Sequence, residues 1–200
     1  MMGRLRAMRE PLKYVQGRNA LLKFQEEMGY MGTRWLFVCS KSGYQACHDK
    51  LEESFGQRED YRRYEIFGGV SSHSEIDKMK AIVEEDKIDT VVAVGGGSAV
   101  DTAKATAFYT GKHIVIIPTV AATDAPCTGL SVIYNDDHSF DKYLFYPTNP
   151  DAVMVDTTVI ANAPVKFLIA GMGDALGTYF EGRASIRTES ASLEGTGITR

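Results

Sequence analysis

The run Asp89-Thr90-Val91-Val92-Ala93-Val94 followed by Gly95-Gly96-Gly97-Ser98-Ala99-Val100-Asp101-Thr102-Ala103-Lys104 decides the fold of this chain. An apolar run, three glycines and then residues of good helix propensity read as strand, tight turn and helix. Glycine lets backbone N–H groups approach a ligand where a Cβ would clash. The helix expected from Ser98 points its unpaired N–H groups and the positive end of its dipole at the same spot. A phosphate or pyrophosphate is what such a turn usually holds; the alternative is a glycine turn shaped by packing alone. The spacing is not G-x-G-x-x-G, so the common dinucleotide fingerprint does not apply as written.

Outward from this turn, helical and strand-like segments alternate. Asn19 to Met28 reads as helix, Trp35 to Cys39 as a buried strand, Tyr44 to Phe55 as helix and Tyr61 to Phe67 as strand. Ser74 is the expected cap of the next helix, with Asp77 as a short capping-box partner, and Ile76, Met79, Ile82 and Val83 form its apolar face. Val91 to Val94 is the next strand, Ser98 to Tyr109 the next helix, and Ile114 to Ile117 another strand. Repeated strand–helix–strand order implies a parallel sheet covered by helices, with right-handed crossovers. After Pro118, Leu130 to Tyr134 and Tyr143 to Tyr146 predict a hairpin, and Ala152 to Val155 a last strand. From Pro164, which suits the first turn of a helix, Val165, Leu168, Ile169 and Met172 begin a helical apolar face. The expected architecture is therefore α/β: a Rossmann-like parallel-sheet nucleotide-binding domain over 1–163, followed by the start of an all-helical domain over 164–200. The second region holds about three dozen residues, too few to enclose a core. The chain is accordingly expected to be a truncated piece of a longer protein.

Bulk properties exclude several function classes. The 200 residues are 44% hydrophobic and 24% charged, with a net charge of −4. No basic stripe marks a nucleic-acid surface. Arg4, Arg6 and Arg9 make the N-terminus locally basic, but no apolar segment of signal-peptide type succeeds them, and no run is long enough to span a bilayer. Cys39, Cys47 and Cys127 are an odd count without C-x-x-C spacing, which favours reduced thiols and a cytoplasmic location.

Four ordered segments together carry a resemblance. They are GGGSAVDTAKA from Gly95, IIPTVAATDAPCTGLSVIY from Ile116, NPDAVMVDTTVIANAP from Asn149 and FLIAGMGDALGTYFEGRA from Phe167. In this order they resemble the iron-containing alcohol dehydrogenase superfamily, most closely its glycerol dehydrogenase branch, over roughly Val91 to Ala184, with weaker similarity back to Lys13–Gly17. The resemblance implies oxidation of an alcohol by NAD or NADP, glycerol to dihydroxyacetone foremost. It also implies a divalent ion, zinc or iron, a small polyol substrate and a homo-oligomer, with neither nucleic acid nor membrane as partner. It assigns cofactor contacts to Gly96, Gly97, Ser98 and Asp101, an adenine-side contact to Thr119, and the nicotinamide–ribose end to Thr128, Leu130 and Tyr134. Simple packing within the hairpin is the alternative for the last three. Asp124 matches the position that binds the substrate hydroxyl; a carboxylate accepts hydrogen bonds from a polyol, and an Asx-turn before Pro126 is the alternative. Asp174 matches the metal-binding aspartate, against a helix cap or turn role.

Three departures from the family pattern stand out. Ser98 replaces the lysine usual after the glycines in glycerol dehydrogenases. Ser40, beside Lys41, stands where an aspartate usually bonds the adenosine ribose; without that carboxylate the repulsion of a 2′-phosphate is absent and NADP is admitted. The family's histidine metal ligands lie beyond Asp174, whereas the histidines here are His48, His73, His113 and His138. A catalytic zinc needs about three protein ligands, so the metal site is expected to be incomplete and the chain alone inactive. Asp136, Asp137 and Asp141, around His138, read as a solvated loop. Two other functions remain open: a non-catalytic nucleotide-binding chain, and an enzyme like the distantly related sugar-phosphate cyclase dehydroquinate synthase.

Overall fold

The computed structural model describes residues 9–190. Arg4, Arg6 and the last ten residues of the expected helical region lie outside them. Six strands form one parallel sheet: β1 (Lys13–Gly17), β2 (Arg34–Cys39), β3 (Tyr61–Ile66), β4 (Thr90–Gly95), β5 (His113–Pro118) and, after a hairpin of β6 (Leu130–Tyr134) and β7 (Phe140–Phe145), β8 (Ala152–Asp156). Their order across the sheet is β1-β8-β5-β4-β2-β3. The helices are α1 (Phe24–Met28), α2 (Lys41–Phe55), α3 (His73–Glu85), α4 (Gly97–Thr110), α5 (Thr157–Asn162) and α6 (Val165–Thr188). The α/β expectation is met: α2 joins β2 to its parallel neighbour β3, and α4 joins β4 to its parallel neighbour β5.

Period-two alternation divides β2 between two cores. Trp35, Phe37 and Cys39 pack with Leu21, Phe24, Leu51 and Phe55 on one face. Leu36 and Val38 meet Met79, Val83, Val100 and Ala103 on the other. Burial on both faces is why β2 and β4 read as unbroken apolar runs. Helix α4 is enclosed further, with nine of its 14 residues buried. Its alanines let the sheet, α3 and the hairpin approach closely. Enclosure also takes Asp101 and Lys104 out of solvent.

Two elements carry no sequence signal of the expected kind. β1 is a half-exposed edge strand paired only with β8, so its lysine, tyrosine and glutamine mask it. α5 is rich in β-branched residues, which favour strands; it is helical because the Asp156 carboxylate accepts from the Thr158 and Val159 amides at its start. A local expectation is also corrected. Ser72, not Ser74, caps α3, its hydroxyl accepting from Glu75 N, so the cap lies two residues earlier. The Ser74 amide instead donates to Asp136 Oδ1 at 3.2 Å, and His73 Nε2 lies 2.9 Å from Asp141 Oδ2. Asp136 and Asp141 therefore tie the hairpin to the start of α3 rather than forming a free acidic loop. His138 sits exposed at the hairpin turn with φ of 69°. Among the described residues no helix is long and apolar enough to cross a membrane. The three cysteines are free thiols, and burial pushes the Cys47 thiol up to about 12.

Candidate functional site

Strand order locates the site before any side chain is considered. From β2 the chain moves outward to β3, then crosses back to β4 on the other side of β2 and continues outward through β5 to β8. The reversal opens a crevice between the C-terminal ends of β2 and β4, the usual ligand position in such sheets. The two strand ends are pinned together where Ser40 N donates to Val94 O at 2.9 Å. The glycine turn leads directly out of β4 at this point.

The three glycines play different parts. A Cβ on Gly95 would stand 2.7 Å from Ala99 Cβ and 3.0 Å from Ser40 Oγ, so packing alone requires glycine there. A Cβ on Gly96 would meet Val120 Cγ2 at 3.4 Å, and one on Gly97 would meet Thr123 Cγ2 at 3.6 Å, ordinary contact distances. What Gly96 and Gly97 leave open is space in the crevice. Both sit at the start of α4, where the amides are unpaired and the dipole is positive. Packing thus explains Gly95 and leaves Gly96 and Gly97 unexplained.

The crevice widens into a cleft of roughly 840 Å³ lined by Gly96, Gly97, Ser98 and Thr119 on one side and Ser40, Lys41, Ser42 and Lys50 on the other. Gly68 and Gly69, Asn162 and Phe167 also line it. Among the described residues its charged lining consists of Lys41 and Lys50, with no carboxylate. Ser40 contributes less freely than a bare serine would, because its Oγ accepts from Gly43 N at 3.0 Å and caps α2. Lys50 is steered by Asp156 Oδ2 at 3.0 Å. Lys50, Asn162 and Phe167 line the cleft but are not among the site residues read from the sequence. The spacing of Ser42, Ala46 and Lys50 on one face of α2 is the signal that could have exposed the first.

The remaining sequence candidates lie elsewhere. Asp124 is exposed and lines an adjoining hollow with Gln16, Cys127 and Thr157; that hollow shares Val120 with the cleft. Its side chain makes no capping bond. Thr128, Leu130 and Tyr134 do not line the cleft; they lie on the half-buried segment entering and forming β6. Asp101 is buried beneath that segment, not in the cleft. Its Oδ2 accepts from Val132 N at 3.3 Å, and its Oδ1 faces Lys104 Nζ at 3.3 Å without a well-directed hydrogen bond. Burial pushes the Asp101 carboxyl up and the Lys104 ammonium down; their mutual attraction opposes both.

Asp174 lies exposed in the middle of α6, so a cap or turn role is excluded. Among the described residues no three His, Cys, Asp or Glu side chains gather as a metal site would require. His48, His73 and His113 pair with Asp49, Asp141 and Asp151 at separate places on the surface. Asp174 alone does not hold a divalent ion, and no chemical step through a metal can be derived from this chain's geometry.

The model of the iron-containing alcohol dehydrogenase family matches residues 11–157. This chain belongs to that family. It is 40% identical over 195 residues to a glycerol dehydrogenase of Escherichia coli O6:H1, covering 98% of this chain and 53% of the relative. It is 43% identical over 187 residues to the glycerol dehydrogenase of Thermotoga maritima, covering 92% and 50%. A crystal structure of a probable glycerol dehydrogenase from Sinorhizobium meliloti superposes with a TM-score of 0.86 at 37% identity, covering 98% of this chain and 53% of the other. The chain therefore spans about half the length of the curated relatives it matches.

Proposed function

We propose that this chain provides the dinucleotide-binding half of a metal-dependent polyol dehydrogenase, which passes hydride from a secondary alcohol, glycerol foremost, to a nicotinamide dinucleotide. The observation that carries the reading is the pair Gly96 and Gly97, which leave space at a helix start on the sheet's switch point without a packing reason for doing so. Their amides and that of Ser98 bind the pyrophosphate. Thr119 contacts the adenine side, and the nicotinamide–ribose end extends out of the cleft, past the adjoining hollow of Asp124, to Thr128, Leu130 and Tyr134. Asp124, next to the cleft and free of a capping role, accepts hydrogen bonds from the polyol. A bound zinc or iron ion would lower the alcohol's pKa. Asp174 is its single contribution from this chain, on a helix that opens a second, helical region.

NADP is favoured over NAD by one further observation. Among the described residues the cleft beside the end of β2 is lined by Lys41 and by no carboxylate, which suits a 2′-phosphate and lacks the group that would repel it; Lys50, deeper in the cleft, is already paired with Asp156. Calorimetric titration of this chain with ADP-ribose, NAD and NADP tests both parts. Binding of all three, with NADP tightest, is expected. A chain that binds none of them has no dinucleotide site. One that prefers NAD by tenfold or more retains the site but not the proposed selectivity.

A further inference from the structure

The dinucleotide contacts leave Lys104 without a role, although its burial in α4 is costly. An ammonium removed from water needs partners for its three N–H groups. Lys104 Nζ donates to the carbonyls of Ala125 at 3.0 Å, Thr128 at 3.4 Å and Leu130. Those three carbonyls belong to the segment that carries Asp124 at one end and Thr128 and Leu130 along it. One turn earlier on α4, Asp101 takes the Val132 amide through its carboxylate, and its own carbonyl accepts from Ser131 Oγ at 3.3 Å. The segment from 125 to 132 is thus held to α4 at five points by residues of two successive turns. The same helix starts at Gly97, about 10 Å away along its axis.

We propose that Lys104 is a positioning residue for the nicotinamide end of the cofactor, holding the segment of Thr128 and Leu130 from the middle of α4 at a fixed distance from the pyrophosphate cradle at the start of the same helix. The inference rests on the dinucleotide reading of the cleft. Its basis is geometric: a helix is a rigid spacer, and a dinucleotide must meet the cradle and the nicotinamide contacts at once. Nothing in the fold of the sheet requires a lysine here; a buried apolar side chain would pack α4 without tying down three carbonyls. Lys104 touches neither cofactor nor substrate and acts only through the segment it holds.

The test compares a ligand that lacks the nicotinamide ring with one that carries it. 2′-Phospho-ADP-ribose and NADPH are titrated into this chain, its Lys104→Met variant and the double variant Asp101→Asn/Lys104→Met. The shared 2′-phosphate contributes equally to both ligands. The double variant keeps an acceptor for Val132 N and leaves no buried carboxylate unpaired, so it retains folding even where the single variant loses it. Expected in the native chain is tighter binding of NADPH than of 2′-phospho-ADP-ribose, by about tenfold. In the folded variants that advantage falls to less than twofold while the affinity for 2′-phospho-ADP-ribose holds. Hydrogen exchange should show faster amide exchange at 127–132 with α4 still protected. A preserved NADPH advantage overturns the proposal, as does equal weakening of both ligands, which would mark a purely structural role. A native chain that binds both ligands equally overturns it while sparing the dinucleotide reading. A native chain that binds neither removes both.

Discussion

At the scale of single residues, the glycine turn separates two demands that look alike in sequence. Gly95 is bounded by Ala99 and Ser40, whereas Gly96 and Gly97 border open space. Gly96 has φ of −90°, and Gly97 is helical, so alanine suits both backbones. We expect Gly97→Ala to keep its melting temperature within a few degrees while nucleotide affinity falls about tenfold or more, because the added methyl group occupies the space that the pyrophosphate needs. Gly95→Ala should do the reverse in stability, losing roughly 1–3 kcal/mol to overpacking. Thermal melting together with titration distinguishes them; equal stability loss in both would restore packing as the reason for all three glycines. Ser40 offers a second separation. Ser40→Asp retains a good helix cap and brings a carboxylate to the cleft, so NADP affinity should drop about tenfold with NAD affinity kept or improved. Unchanged discrimination in titration would move the ribose away from Ser40.

At the scale of elements, apolar pattern made the central strands and their helices legible, because residues buried on both faces of a sheet leave unbroken runs. Edge strand β1 and helix α5 were not legible, since neither is specified by its own composition. Asp156 supplies what α5 lacks: besides the two amides of that helix, its carboxylate accepts from Asn19 N and Leu21 N and meets Lys50. One aspartate therefore joins the end of β8, the segment after β1 and the wall of the cleft. Such long-range convergence has no local signature. The Lys104 clamp was illegible for the same reason: a lysine between alanines reads as a surface residue until the hairpin covers it. Asp156→Ala is expected to cost about 2–4 kcal/mol, from a lost cap and a lysine left without its partner, measured by urea unfolding. Burial alone would raise the Asp156 carboxyl, but the Lys50 ammonium and the Thr158 and Leu21 amides outweigh it and hold it below the ordinary 3.8. Its stabilising contribution is full at neutral pH. It declines once acidification passes the ordinary value and the unfolded chain begins to take up the proton, and it is lost below the folded-state value. Asp156→Asn should flatten that part of the acid-unfolding curve; an unchanged curve would mean that Asp156 is not held in this way.

At the scale of the molecule, the sheet and its helices form a closed core, and α6 stands apart from it. Gly171 rests against the Ala121 backbone and Phe167 borders the cleft, yet no residue of α6 is buried. Val165, Leu168, Ile169, Met172, Leu176, Tyr179 and Phe180 are 50% to 68% exposed. Their spacing of three and four places them on one stripe of the helix. An apolar stripe of this length is larger than the scattered exposed residues of an ordinary surface and promotes association. The isolated chain should therefore bind the dye ANS and sediment as concentration-dependent oligomers. Ile169→Glu/Leu176→Glu places two charges one heptad apart on the stripe without touching the cleft. That variant should sediment as a smaller species with dye binding reduced several-fold, while its affinity for dinucleotide matches the native chain. If the native chain sediments as a monomer and leaves the dye dark, the stripe is covered by other means. If the charges instead weaken dinucleotide binding, α6 is coupled to the cleft through Phe167 more tightly than its exposed packing implies.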